Sequence, residues 1–213
     1  MTRLLRPPLR VPDLDVPWRE VDYRVVDVET TGLDLRRDTV VSFGSVLVRD
    51  GRLRWSSRVS VDVKPDRPIR VDAMTVHGLR QEDLDAAPGL ADVAGTIAAQ
   101  LDGCVLVAHA AWVELAFLRA PVRLAGRRGK PAAVDTAALL RATDLAPSGT
   151  GYEPDIEWAA ATLGLGAHTP HQALGDALTT AEVFLALAAR VEQDQPGLTA
   201  RSLVKISDAH TLT

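Results

Sequence analysis

The run Val25-Val26-Asp27-Val28-Glu29 sets two carboxylates two residues apart in a Val-rich stretch. Side chains on a strand alternate between faces, so Asp27 and Glu29 point the same way. Two acids side by side on a half-buried face repel each other and lose hydration. A divalent cation bridging them would make the pairing favourable. Thr30-Thr31-Gly32 then ends the run with a residue that lets the backbone turn closely. A solvated strand end carrying two acids fits the same spacing.

A second concentration of chemistry lies far along the chain. From Ala173 to Ala189 the sequence is apolar on nearly all sides, and Asp176 and Glu182 are its only ionisable residues. A helix of that kind is normally buried. A buried Asp176 needs a partner, for which a metal is the direct candidate. The alternative is a first-turn charge favoured by the helix dipole. His171 stands just before this helix, behind Pro170, and an imidazole with a pKa near 6.5 suits a base acting on water. Glu114 follows a short apolar run, and the end of a buried strand is where α/β sheets place their sites. Exposed glutamates on helices are equally common.

These residues need a scaffold. Residues 1–20 carry four prolines and read as an irregular arm. Strands are expected near Tyr23–Val28, Thr39–Arg49 and Leu53–Val63, and Asp50-Gly51 is a hairpin turn signal between the last two. The three form an antiparallel meander. Helices are expected at Leu90–Leu101, Trp112–Arg119 (ended by Pro121), Asp135–Arg141, Asp155–Leu163 and Gln172–Val191. Short buried strands fall at Cys104–Ala108 and Ala132–Val134, and a loop at 144–154. Residues 192–213 read as a polar tail. Strands first, then strands alternating with helices, give an α/β mixed sheet flanked by helices, with a domain over 21–191 between the arm and the tail.

Composition sets bounds around this scheme. The 213 residues are 46% hydrophobic and 24% charged, ordinary for a globular protein. A protein that holds long nucleic acid by charge alone is usually basic, but the net charge of −4 by itself decides nothing about partners. Aromatic residues make up 4%, so stacking platforms are few. Cys104 is the lone cysteine, which excludes intrachain disulfides and agrees with a reducing compartment. No run approaches the roughly 20 apolar residues of a membrane span, and the default expectation is a cytoplasmic protein. Arg119, Arg123, Arg127, Arg128 and Lys130 form a basic stretch, read as a solvated loop or as a contact for phosphates.

Taken together, three segments in order resemble the DEDDh exonucleases, the DnaQ-like family of the proofreading epsilon subunit and RNase T. Asp27-Val28-Glu29-Thr30-Thr31-Gly32 is similar to the first family motif. Val107-Ala108-His109-Ala110-Ala111-Trp112-Val113-Glu114-Leu115-Ala116-Phe117-Leu118 is similar to the second. His171-Gln172-Ala173-Leu174-Gly175-Asp176-Ala177 is similar to the third and is the most specific. Val76-His77-Gly78-Leu79 and Val134-Asp135-Thr136 match further family positions. The resemblance covers about Asp22 to Arg190 and implies an RNase H-like fold.

It further implies a 3′→5′ exonuclease releasing nucleoside monophosphates from DNA or RNA by two-metal-ion hydrolysis. In that reading Asp27, Glu29 and Asp176 hold one cation, and Asp27 contacts a second with Glu114 nearby, directly or through water; oxygen-rich ligands favour Mg²⁺ or Mn²⁺ over zinc. His171 is the general base, and Thr30, Leu33 and His77 meet the terminal nucleotide. The implied partners are single-stranded DNA or RNA 3′ ends and, as a candidate, a DNA polymerase. The oligomeric state is left open, with a dimer among the options. Two positions depart from the family: Glu114 stands where Asp is usual, and Ala110 where Asn is usual. One added methylene displaces the carboxylate, and metal-assisted chemistry is sensitive to such displacement. The alternative these departures raise is a catalytically weakened nucleic-acid-binding or polymerase-associated module of the same fold.

Overall fold

The computed structural model describes residues 6–146 and 154–210. Strands β1 (Tyr23–Thr30), β2 (Val40–Arg49) and β3 (Arg52–Asp62) form the expected meander. The β2–β3 turn has positive φ at both Asp50 (55°) and Gly51 (63°), the pairing that two-residue hairpins require. Helices α1 (Val71–His77) and α2 (Leu90–Leu101) lead to β4 (Val105–Ala108). Helices α3 (Trp112–Phe117) and α4 (Arg119–Leu124) lead to β5 (Ala133–Asp135). Four more follow: α5 (Thr136–Ala142), α6 (Ile156–Thr162), α7 (Ala173–Asp194) and α8 (Ala200–His210).

The sheet order is β3-β2-β1-β4-β5, antiparallel through the meander and parallel from β1 through β4 to β5. One face carries Tyr23, Val25, Val46, Val48 and Val107 beneath α5–α8, the other Val26, Val28, Phe43 and Leu106 against α2, α3 and α4. This is the expected mixed α/β sheet flanked by helices. The C-terminal ends of β1, β4 and β5 lie at one rim, where the turns after them gather.

Several expectations need correction. Helix α1 has no counterpart in the sequence reading. The helix expected at Trp112–Arg119 is two short ones, with Pro121 inside α4 rather than ending it. Pro121 is the third residue of α4, where its missing N–H has no intrahelical acceptor to lose. The expected polar tail is also overturned, because 200–210 is helical and packs on α5 and β5. Ala200, Leu203 and Ser207 face inward at helical spacing, and the Ser207 hydroxyl accepts from the Asp135 backbone N–H at 2.7 Å.

The N-terminal arm is irregular but anchored. Trp18 is fully buried and meets Tyr23 and Phe184 edge-on, with ring centroids 6.4 and 5.9 Å away. Its backbone N–H donates to Leu198 O at 3.0 Å. The basic stretch precedes β5, at the end of the sheet remote from the gathered turns. There Arg127 donates to Asp102 and to Pro8 O, and Arg128 to Arg6 O. The loop expected at 144–154 falls largely outside the described residues.

Candidate active site

Asp27 and Glu29 occupy the C-terminal half of β1 and share a face, with Gly44 of β2 beside Asp27 in register. Helix α7 begins directly over that glycine. A Cβ at Gly44 would come within 2.2 Å of the Ala173 backbone, so only a residue without a side chain lets α7 settle there. Gly175 makes a second close approach, to Thr169 O, where a Cβ would lie 2.0 Å away. These contacts bring the first turn of α7 down onto β1. As a result, ligand oxygens of Asp27, Glu29 and Asp176 all lie within 4.8 Å of one another.

The cluster is electrostatically unfavourable by itself. Burial, reinforced by Glu114, Glu29, Asp176 and Glu157, pushes the Asp27 carboxyl well above the carboxylate range. The Asp27 residue is half-buried. Burial, and then Asp176, raises Glu29 to about 7. Burial and Glu157 raise Asp176 to about 6, opposed by the His171 backbone and ring. Asp176 Oδ1 is buried without a hydrogen-bond partner. A buried acceptor of that kind is normally satisfied, and a cation among three converging carboxylates would satisfy it. The donor set, all carboxylate oxygen, fits Mg²⁺ or Mn²⁺.

Glu114 is outside this tight group. It is buried at the start of α3 and reaches Asp27 through its charge. The turn that delivers it has Ala110 in the left-handed region, at φ 58°. Asp135 Oδ1 pins that turn by accepting from Ala110 N at 3.1 Å, while also capping α5 at Ala137 N. His109 spans the same corner, with Nδ1 2.9 Å from the Thr136 hydroxyl and Nε2 2.6 Å from Pro154 O.

His171 lies at the rim, also with positive φ (57°), its side chain 55% exposed and Nε2 3.9 Å from Glu157 Oε1. Glu157, on the first turn of α6, is the residue that the sequence reading missed. No motif marks it; only its position beside the Asp155 cap of α6 and the fold bring it to the acids.

Thr30, Leu33 and His77 line one cleft of about 410 Å³, together with Glu29, Arg70 and Val113. Leu33 is 68% exposed there, an apolar surface without a protein neighbour to cover it. The Thr30 hydroxyl donates to Gly32 O at 2.8 Å. Leu79 N–H donates to His77 Nδ1 at 3.0 Å, so the proton of a neutral ring sits on Nε2, which faces Thr30 O at 3.2 Å. Burial lowers the pKa of His77. With both nitrogens engaged, His77 offers the cleft a ring surface rather than a hydrogen bond. A second groove of about 480 Å³ lies across Glu29 and His77 from the first, lined by Ser42, Ser60, Asp62, His171 and Gln172.

Comparison with known proteins agrees with this arrangement. Residues 25–184 match the sequence model of the RNase T exonuclease family. A DNA polymerase III subunit epsilon-like protein of Rhodobacter capsulatus is 33% identical over 194 residues, covering 89% of this chain and 26% of that protein. The chain thus spans about a quarter of that relative's length. The DNA polymerase III subunit epsilon of Treponema pallidum is 29% identical, over 79% of this chain and 77% of its own. Among solved structures, Exonuclease X in complex with 5′ overhanging duplex DNA superposes with TM-score 0.65 at 26% identity, covering 87% of this chain and 99% of that one. Escherichia coli Exonuclease I in complex with a dA16 oligonucleotide shares the fold, with TM-score 0.66 at 15% identity over 89% of this chain and 42% of that one. With its acids gathered at one end of this sheet and the family match running through all three motifs, the chain belongs to the RNase T exonuclease family.

Proposed function

We propose that this protein is a divalent-metal-dependent exonuclease that removes nucleoside monophosphates from the 3′ ends of DNA or RNA. The observation that carries the reading is the convergence of Asp27, Glu29 and Asp176, with a buried Asp176 oxygen left without a partner. Asp27, Glu29 and Asp176 would hold one cation and Asp27 with Glu114 a second, and cations there would activate water and share the charge of the attacking and leaving oxygens. His171 takes the proton from the attacking water, and Glu157 steadies the imidazolium that results. Leu33 and the His77 ring pack against the terminal base, while Thr30 and Val113 close the same cleft. The solved relative bound to a 5′ overhanging duplex supports a DNA 3′ end as substrate, and the epsilon relatives support a polymerase as partner.

The weakened-module alternative rests on Glu114 and Ala110. Against it, Ala110 holds the turn with a left-handed backbone although the usual Asn is absent, and Glu114 still points its charge toward Asp27. The deciding assay is digestion of 5′-labelled single strands of DNA and RNA with Mg²⁺, with Mn²⁺ and with EDTA. Mononucleotide release that EDTA stops and Asp27→Ala abolishes is the expected result. Undiminished release by Asp27→Ala would remove the assignment.

A further inference from the structure

Trp55 is half exposed (50%) on β3, the edge strand of the sheet. The Arg58 guanidinium lies over its ring, 4.1 Å from the centroid. His168 also stands beside Trp55, its ring centroid 6.1 Å away, itself tied through Nε2 to Glu182 at 3.2 Å. An irregularity in the β2–β3 register brings these groups together. Ser45 pairs with Val59 but Leu47 pairs with Arg54, so β3 holds extra residues between them. Leu53 therefore packs beneath α7, whereas Val59 and Val61 pack on the opposite face. Ser60 and Asp62 consequently share the α7 side with Trp55 and Arg58.

That side is continuous with the site. Ser60 and Asp62 line the groove that touches Glu29 and His171, and the extra residues of the irregular register stand between Ser60 and Trp55 on the same strand. Charge separates the two ends of this strip. Asp62, accepting from the Ser42 hydroxyl at 3.0 Å, makes the inner end acidic. The outer end carries an available cation. Arg10, Arg19, Arg49, Arg54, Arg67, Arg70, Arg80, Arg127 and Arg201 are engaged with carboxylates, whereas among the described residues no carboxylate pairs with Arg58. A guanidinium stacked on indole keeps its N–H donors directed outward, suited to phosphate. The indole offers any base a stacking partner.

We infer that Trp55 and Arg58 form a landing site for the single strand upstream of the bond being cut, with Trp55 stacking a base and Arg58 holding a phosphate. This inference rests on the proposed exonuclease reading for the direction of the strand, but its binding test does not need turnover. The full chain is titrated in EDTA into 5′-fluorescein-labelled dinucleotide and decanucleotide, of both dT and rU, with anisotropy as the readout. Wild type should bind the decamer more tightly than the dinucleotide. Trp55→Ala should weaken decamer binding by about tenfold, and Trp55→Phe should restore most of it. Arg58→Gln should flatten the slope of log affinity against log salt by about one phosphate contact. Dinucleotide hydrolysis with Mg²⁺ should remain within about twofold in both variants, because neither side chain lines the cleft or the groove beside the acids.

Unchanged decamer affinity in Trp55→Ala and Arg58→Gln would overturn the inference and leave the patch as a contact for another protein. Equal losses on decamer and dinucleotide would overturn it as well, since that pattern belongs to a purely structural role. Absent hydrolysis by wild type, with length-dependent binding that Trp55→Ala removes, would sink the enzyme reading and keep this one.

Discussion

Three acids held together in the absence of a cation should make the protein less stable as pH rises toward neutrality. Glu29 gives the magnitude, because burial and Asp176 raise it from 4.5 to about 7. A displacement of about 2.5 pH units, at about 1.36 kcal/mol per unit, corresponds to about 3 kcal/mol. The sign follows from proton counting. Between the unfolded value and about 7, the folded chain holds a proton on Glu29 that the unfolded chain has released. Stability contributed by the protonated form is therefore complete below about 4.5 and lost as pH rises through about 7. Asp176, raised to about 6, adds in the same direction within a narrower window, and the two are coupled. For a chain of this size, 1 kcal/mol moves the thermal midpoint by about 2–4 °C, so the metal-free protein should lose about 6–12 °C between pH 5 and pH 8.

The assay is thermal melting in EDTA across that range, with Glu29→Gln as the reference. The exposed ion pairs with lowered carboxyl values, such as Asp15 with Arg201 and Asp102 with Arg10, act below this window. His77 contributes the opposite sign, since burial lowers its value, but it is common to both proteins and cancels in the difference. The variant should be flatter with pH than wild type. Excess Mg²⁺ or Mn²⁺ should restore the wild-type midpoint at pH 8, by about 2.7 kcal/mol at a hundredfold excess over Kd, and should do little for the variant. A wild-type curve that is level or rises from pH 5 to 8 relative to Glu29→Gln would refute the reasoning.

Gly44→Ala should destabilise the fold by about 1–3 kcal/mol, because its Cβ would meet the Ala173 backbone at 2.2 Å. Nuclease activity should fall with it, since α7 carries Asp176; parallel melts and digestion assays check both. Glu114→Asp should keep or raise the rate of 3′-end digestion, and a loss on the order of 100-fold would mean that the longer side chain is fitted to its own backbone position. Leu203→Ala should cost about 2–5 kcal/mol in denaturant unfolding, as expected for a fully buried side chain; a change under about 0.5 kcal/mol, the range of ordinary surface substitutions, would return residues 200–210 to the status of a tail.

The amino-acid order alone was enough to place Asp27 and Glu29 on one strand face, Asp176 on an apolar helix and a turn at Asp50-Gly51. Local alternation, helical periodicity and turn chemistry act over a few residues and can be read from any stretch that contains them. Helix α8 was in principle as readable, since Ala200, Leu203 and Ser207 repeat at helical spacing, but the polar residues between them hid a stripe this narrow. Glu157 is different in kind. Its neighbourhood with Asp27, Asp176 and His171 depends on where α6 packs, and no local pattern encodes that. The same holds for Trp55 and Arg58, three residues apart, which simple alternation would send to opposite faces of β3. The irregular pairing with β2 turns them to the same side, because register is settled between strands rather than within one. Distances among distant carboxylates, and the glycines that permit them, belong to packing and became visible only once α7 lay on Gly44.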